Sequence, residues 1–304
     1  MLPEPLNTTK KKPLPSLYIA GAIVLLVGGL VWCTKVSTNV QRVFWGTVSQ
    51  SLSTSAVTIT SKQTNGSASL NQAVQYSFGP NSVSHTLSTL KQNGTTVVDE
   101  LIGTPSADYT RYLSVDTTQK SASGKLLDFS NITGVWAKSD PSAGKPQLFS
   151  QSVLGTSLPI GGIALPIGNL SEANRIKLIQ EIKNDAVYQV DFKNVTKQRV
   201  SGREQYVYNI GVQPVAYAAL MQRFAQLMGL HDLDGLDPSS FKGQAALKLQ
   251  LTIDVRSRHV VTATAGANGD EQSYTSYDIP ADISAPAKAI SIAELQARLS
   301  KLQQ

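Results

Sequence analysis

Residues 247–255 read LKLQLTIDV, and this alternation decides the fold class of the 304-residue chain. Apolar side chains occupy every second position, which predicts a strand with one buried face. A basic turn at 256–258 follows, and we expect the apolar run at 260–264 to pair with the first strand. A further strand is predicted at 274–279, after the Asn-Gly turn at 268–269.

The first half of the region beyond residue 53 has the same character. Asn-Gly pairs at 65–66 and 93–94 separate alternating runs, which is a strong hairpin signal because both residues tolerate positive φ. We therefore predict further strands, in chain order, at residues 57–60, 74–78, 83–90, 95–102, 109–115, 134–138, 187–192 and 206–212.

Apolar residues at helical spacing predict helices between these groups of strands. One helix follows Ser171, with Ala173, Ile176, Ile179 and Ile182 on its apolar face. Others are predicted from Pro214 to about residue 230 and from the capping-box residue Ser291 onward. Helices alternate with groups of strands and not with single strands. The prediction is an α+β fold with one curved antiparallel sheet and helices packed on it.

The N-terminal segment predicts a membrane anchor. Residues 13–34 carry no charged side chain, and about 20 such residues suffice to cross a bilayer as a helix. Lysines at 10–12 precede the segment and indicate that residues 1–12 are a cytoplasmic tail. We expect the protein to lie in the cell membrane as a single-pass protein. An amphipathic juxtamembrane helix at 37–53 and an extracytoplasmic α+β domain at 54–304 would follow.

Two alternatives to an uncleaved anchor stay open. Cleavage by a signal peptidase requires small residues before the cut, and Trp32 and Lys35 are unfavourable there. Cys33, the single cysteine, suggests lipid attachment, although Trp32 stands where a lipoprotein signal has a small residue.

Asn-x-Ser/Thr triplets accept glycans only in a host that has the machinery.

Composition excludes one broad class of partner. The net charge is +6, only 16% of residues are charged, and no block of like charge or basic–aromatic pattern occurs. Nucleic-acid binding therefore has no support. No cysteine follows residue 33, so the outer domain must be held together by its hydrophobic core and not by disulfides.

The residues needed for catalysis or metal binding do not assemble in the sequence. The three histidines share no ligand spacing, and Ser88-x-x-Lys91 lacks the partner motifs of serine–lysine enzymes. Asp232, Asp234 and Asp237 raise the question of calcium, but the spacing of an EF-hand loop is absent. We expect no enzyme activity, no cofactor and no metal. A solvated loop is the preferred interpretation of the three aspartates.

Residues 153–170 contain no charge and repeat Leu-Pro-Ile-Gly at 158–161 and 165–168. One interpretation is a connector whose apolar side chains pack into the core. The other is a flap over an apolar cavity or a membrane-touching loop, because charge-free apolar loops rarely face water without a reason.

The C-terminal half resembles the LolA and LppX/LprG group of lipoprotein carriers. The resemblance rests on the strand–turn–strand LQLTIDVRSRHVV at 249–261, the closing segment at 277–286, and the strand-to-helix passage at 206–230. It implies a half-barrel with helices on the concave face, where acyl chains bind. The chain also resembles membrane-anchored bacterial proteins without an assigned function. A retained spanning helix departs from the carriers, which are soluble or lipid-tethered.

These observations predict a membrane-anchored binding protein for lipid or another apolar ligand. The alternative is a cell-envelope structural or interaction module that contacts an envelope protein and binds no small molecule. The side chains that we expect at the cavity or its flap are apolar or aromatic: Tyr76, Phe78, Ile160, Ile163, Leu165, Tyr217, Phe224 and Leu249. Each of them also suits an ordinary core position.

Overall fold

The computed structural model describes residues 38–80, 82–121, 124–139, 148–154, 165–265, 270–280 and 282–302. These residues form an α+β fold, as predicted. Its helices are α1 Val40–Ser51, α2 Leu148–Val153, α3 Glu172–Asn184, α4 Pro214–Leu227 and α5 Ile292–Leu302, with a 3-10 helix at Pro238–Phe241.

The strands join in one large curved sheet. In chain order they are β1 Ala56–Asn65, β2 Ala68–Ser77, β3 Val83–Gln92, β4 Thr95–Gly103, β5 Asp108–Thr117, β6 Ala137–Ser139, β7 Tyr188–Val190, β8 Thr196–Val200, β9 Arg203–Val212, β10 Leu247–Asp254, β11 Val260–Ala265, β12 Asp270–Thr275 and β13 Ile290–Ser291. The order across the sheet is β13-β6-β5-β4-β3-β2-β1-β12-β11-β10-β9-β7, with β8 also on β9. The described pairings are antiparallel except that between β6 and β13.

Two meanders meet at strand β1. Strands β1 to β5 pair consecutively, and β9 to β12 do the same. Strand β1 joins them because its other edge pairs with β12, with Ile59 opposite Tyr274. The predicted Asn-Gly turn at 93–94 connects β3 and β4, and both of its residues have positive φ.

One face of this sheet carries the main hydrophobic core, and we call it the core face. Ile59, Val74 and Tyr274 are neighbours on it and are all buried. Side chains of α1, α3 and α4 complete the core, including the fully buried Phe44 and Phe224. A smaller cluster around Leu295 of α5 lies beside β6. The sheet is thus covered by helices where its side chains are most apolar.

Helix α1 confirms the predicted helix after residue 37. The side chain of Asn39 caps it by accepting from the backbone N–H groups of Gln41 and Arg42. On β9, the Tyr206 hydroxyl donates to the backbone carbonyl of Thr38, just before the helix, and the Tyr208 hydroxyl donates to that of Val40, its first residue, at 2.9 Å each. Helix α1 is therefore fastened to the sheet.

The predicted N-caps of the later helices are confirmed. The Ser171 hydroxyl accepts from the backbone N–H of Asn174, and the Ser291 hydroxyl accepts from that of Glu294. Pro214 stands in the first turn of α4, where its missing N–H costs nothing.

Three details differ from the sequence predictions. Helix α3 buries Leu178 and Ile182, whereas Ile176 is 60% exposed, because α3 contacts the core through a narrower stripe than its apolar residues suggest. Leu247 begins its strand but is exposed, since it projects beyond the core. The last strand of the second meander ends at Thr275, because the chain turns and the Asp278 carboxylate accepts from the backbone N–H of Ser55.

Among the described residues, no helix has both the length and the apolarity that a bilayer crossing requires. The predicted tail at 1–12 and the predicted span at 13–34 lie outside those residues.

Candidate functional site

An apolar cavity of about 860 Å³ opens between helix α4, the 3-10 helix and the start of β10. Its size falls in the range of sites that enclose small organic ligands, about 300–1,000 Å³. Most lining side chains are apolar: Leu154, Val212, Pro214, Tyr217, Ala218, Met221, Leu233, Leu236, Phe241, Ala245, Ala246 and Leu247, with Gln244 and Lys248 as polar members.

The outer wall of the cavity is built by a loop that helix α4 holds in place. The side-chain amide of Gln222 donates to the backbone carbonyls of Leu233 and Leu236, both at 3.2 Å. Asp237 then caps the 3-10 helix by accepting from the backbone N–H of Ser239. The two leucines of the wall are thereby fixed through their own backbone, which leaves their side chains to line the space.

The predicted site residues do not all meet at this cavity. Tyr217 lines it. Leu165, Phe224 and Leu249 are buried in the main core, and so are Tyr76 and Phe78 on the other meander. Ile160 and Ile163 lie outside the described residues.

The wall residues after α4 were missed by sequence reasoning. Leu233, Leu236 and Phe241 stand among aspartates and glycines, so the segment has the composition of a solvated loop. Leu236 follows Leu233 by three residues and Phe241 follows Leu236 by five, and this recurrence was the available signal. A loop that faces only solvent has no use for large apolar side chains, so their presence indicates a surface that they cover. Leu247 was assigned to the core, since alternation alone does not tell where a buried surface ends.

Three tyrosines, Tyr76, Tyr217 and Tyr274, have raised pKa values. Burial raises the pKa of Tyr217 far above its ordinary value, and burial does the same to the pKa of Tyr76. The pKa of Tyr274 is raised first by burial and then by the charges that Tyr217 and Tyr76 would carry if ionised. These phenols remain neutral at physiological pH, so they act as hydrogen-bonding groups and not as acids.

The aspartates of the loop make local contacts with neighbouring side chains. Asp234 contacts the His231 ring at 2.9 Å, Asp237 binds Ser239, and Asp232 accepts from the Ser150 hydroxyl. Among the residues that the structure describes, no group of three or more His, Cys, Asp and Glu side chains is placed to hold a metal ion.

On the face of the sheet opposite the core face, a cluster of polar side chains links three strands. Glu100 contacts the Nε2 atom of His85 at 2.7 Å and also pairs with Arg111. The Arg111 guanidinium lies 4.5 Å from the centre of the Trp136 ring. Burial raises the pKa of Glu100, but the hydrogen bonds and positive charges of its two partners outweigh burial and lower it. The cluster joins strands β3, β4 and β5.

Comparisons of the chain with protein-family models and with curated proteins found no match. The cavity and the residues that line it are therefore the basis for assigning a function.

Proposed function

We propose that this protein is a membrane-anchored, extracytoplasmic binding protein for lipid or another apolar ligand, and that the cavity beside α4 is its binding site. The observation that carries the proposal is an apolar space of about 860 Å³ on a chain whose first residues have the pattern of a membrane anchor. The large curved sheet with helices on its core face supports the likeness to the lipoprotein carriers.

The energetics favour an alkyl chain as the occupant. Each methylene group that leaves water for an apolar site contributes about 0.8 kcal/mol, so eight buried methylenes would contribute about 6 kcal/mol before the cost of ordering the chain. The walls offer hydrocarbon and aromatic surface for such contacts. Lys248 and Gln244 provide the polar lining, and both side chains are exposed.

The anchor would keep the site close to the bilayer. Five residues, 35–39, separate the predicted span from the first residue of α1. Five extended residues reach at most about 18 Å. Because α1 is buried in the domain, the proposed site cannot travel far from the membrane surface. This arrangement suits a fixed receptor or lipid-handling station better than a shuttle.

The alternative function, an interaction module without a small ligand, would need a continuous exposed apolar surface. Leu87 and Leu90 are both exposed, but they are three positions apart on β3, so they point to opposite faces of the sheet. Singly exposed apolar side chains are normal on protein surfaces. The cavity therefore supports the ligand-binding proposal more directly.

The test uses the full chain in purified membranes and a palmitic acid analogue with a diazirine in its alkyl chain and a terminal alkyne. After irradiation, we expect labelled peptides from α4 and from the 231–248 wall. In Ala218→Phe, the new ring enters the cavity, and the labelling of these peptides should fall at least fivefold.

The matched control is Ala219→Phe on the same helix. Ala218 is buried and lines the cavity, whereas Ala219 is exposed, so the control adds the same ring outside the site. Labelling should remain at the level of the unmodified chain. No labelling of the wall peptides, or equal labelling in both variants, would overturn the proposal.

A further inference from the structure

A further cavity, of about 820 Å³, opens beside Thr38, the first described residue of the domain. It lies between this residue, the β8–β9 turn and the β10–β11 turn. The Tyr206 hydroxyl fixes one side by donating to the Thr38 backbone carbonyl at 2.9 Å. Most of the lining residues are polar or charged: Thr38, Gly202, Arg203, Glu204, Asp254, Val255, Arg256, Ser257 and Arg258. The space therefore suits a polar ligand, in contrast to the apolar cavity beside α4.

Both turns that flank this cavity have a fixed backbone. Ser201 and Gly202 have positive φ, which is the conformation of a tight two-residue hairpin between β8 and β9. In the other turn, the Asp254 carboxylate accepts from the backbone N–H groups of Arg256 and Ser257 and from the Ser257 hydroxyl, at 2.8 to 3.0 Å. The arginines of the lining are thus presented from two well-held turns.

The positive charge of this cavity is not neutralised by the domain. Three arginines of the lining have no ion-pair partner within the described part of the chain: Arg203, Arg256 and Arg258. The two acidic lining residues have other neighbours, since Asp254 accepts from its own turn and Glu204 lies opposite Arg199 on the β8–β9 pair. An excess of unpaired guanidinium groups is therefore left for a ligand.

The arginines border the cavity from different elements. Arg258 is half-buried because its side chain lies against Gly46 of α1, in the space that a Cβ atom would occupy. Arg203 and Arg256 are exposed, and each belongs to a different turn. Guanidinium groups bind phosphate through paired hydrogen bonds, and they carry their charge at every physiological pH. A phosphate that enters the cavity would meet arginines from both turns.

The position of the cavity relative to the predicted span indicates where such a phosphate would come from. Thr38 follows residue 34, the last residue of that span, by four positions, so the two are at most about 14 Å apart. The headgroup layer takes up about 5–7 Å on each side of the hydrocarbon core. The remaining gap is no longer than the Debye length, about 10 Å at 0.1 M salt. A bilayer headgroup is therefore the nearest source of phosphate.

We infer that the cavity between the β8–β9 and β10–β11 turns binds the phosphate headgroup of an anionic phospholipid in the leaflet next to the domain. Its excess positive charge favours an anionic headgroup over a zwitterionic one, whose ammonium group would be repelled. The site rests on the membrane anchor of the proposed function and is independent of the apolar cavity beside α4. A bound headgroup would set the orientation of the domain on the bilayer.

The experiment is native mass spectrometry of the full chain, released from a non-ionic detergent after lipid is added in increasing amounts. Phosphatidylglycerol and phosphatidylcholine with identical acyl chains are compared, so that only the headgroup differs. We expect phosphatidylglycerol to half-saturate the first adduct at a concentration at least tenfold lower, which corresponds to about 1.4 kcal/mol. Glycerol phosphate, which has no acyl chains, should not displace it at an equal concentration.

A double substitution locates the effect. Arg203→Gln with Arg256→Gln removes one cation from each turn, so the preference for phosphatidylglycerol should disappear while phosphatidylcholine binding is unchanged. The matched control is Arg175→Gln with Arg223→Gln, which removes the same charge from α3 and α4, outside the cavity lining. It should bind lipid as the unmodified chain does. The free energy of unfolding of the first variant should stay within about 0.5 kcal/mol, because both of its arginines are exposed.

The outcomes separate this site from the proposed function. Equal half-saturation by the two phospholipids, or an unchanged preference in Arg203→Gln with Arg256→Gln, would overturn the headgroup site. Displacement of phosphatidylglycerol by an equal concentration of glycerol phosphate would also overturn it, because the ligand would then be a soluble phosphate ester. In either case, palmitate labelling of the 231–248 wall would still uphold the cavity beside α4. Release of the full chain from membranes by alkaline carbonate would instead overturn the anchor, and with it the proposed function.

Discussion

Replacing Phe44 by Ala tests whether helix α1 is part of the folded domain or a separable linker that precedes it. The Phe44 side chain is 0% exposed. Its ring centre lies 5.2 to 6.1 Å from the centres of four other rings, those of Trp45, Tyr188, Phe192 and Tyr208. Removal of a phenylalanine from such a site costs about 3–5 kcal/mol of unfolding free energy, from lost burial and from the cavity left behind.

The measurement is urea unfolding of the full chain in detergent, followed by tryptophan fluorescence. Trp45 is a suitable reporter because it packs edge-on against Phe44. We expect the unfolding midpoint to fall by about 1.5–2.5 M at a slope of about 2 kcal/mol/M. The matched control is Gln41→Ala on the exposed side of the same helix, which should change stability by less than about 0.5 kcal/mol.

A loss below about 1 kcal/mol for Phe44→Ala would refute the reasoning. It would mean that the ring cluster contributes little and that α1 is a separable linker. A short connection to α1 would then no longer hold the proposed binding site beside the bilayer.

Three further variants test other contacts. Gly103→Ala would force a Cβ atom against the backbone nitrogen of Phe149 in α2 and should lower the free energy of unfolding by about 1–3 kcal/mol, as measured in urea. An unchanged urea midpoint would show that α2 can shift without loss of stability. Glu100→Gln should destabilise the protein by about 1–2 kcal/mol at neutral pH. Because the pKa of Glu100 is lowered on folding by its partners, despite burial, its contribution is present above about pH 4 and is lost as pH falls through the folded value. A deficit that persists at about pH 2 would contradict this account. Burial raises the pKa of Asp108, so its ionisation opposes folding, and thermal stability of the unmodified chain should fall relative to Asp108→Asn as pH rises from about 3 to 7. A rise relative to the variant would reverse the assigned sign.

Local patterns predicted the strands and helices that the structure confirms. Alternation found strands β2, β9 and β10, and the Asn-Gly pair at 93–94 found the β3–β4 hairpin. The caps at Ser171 and Ser291 located the starts of α3 and α5. In each case the signal and the structure it specifies lie within a few residues of each other.

The sequence did not reveal how distant elements meet. Nothing in β1 or β12 states that they are partners, because many strands of this chain carry similar side chains. Strand β8 was missed since its five residues are exposed and show no alternation. An apolar cavity was predicted, but the wall after α4 was not. That wall comes from a loop, and no local pattern separates a leucine that lines a cavity from one that packs in the core.

The position of β1 between the two meanders has a consequence for how the chain folds. Thr58 pairs with Gln75, 17 residues away, on one edge, and with Thr275, 217 residues away, on the other. The first meander can form as soon as its own residues are available, but one edge of β1 then stays open. Such an edge readily pairs with other chains, and distant pairings form slowly. On the ribosome, the open edge of β1 stays without its partner strand until residue 275 has been synthesised. We therefore expect the nascent domain to be most prone to aggregation late in its synthesis.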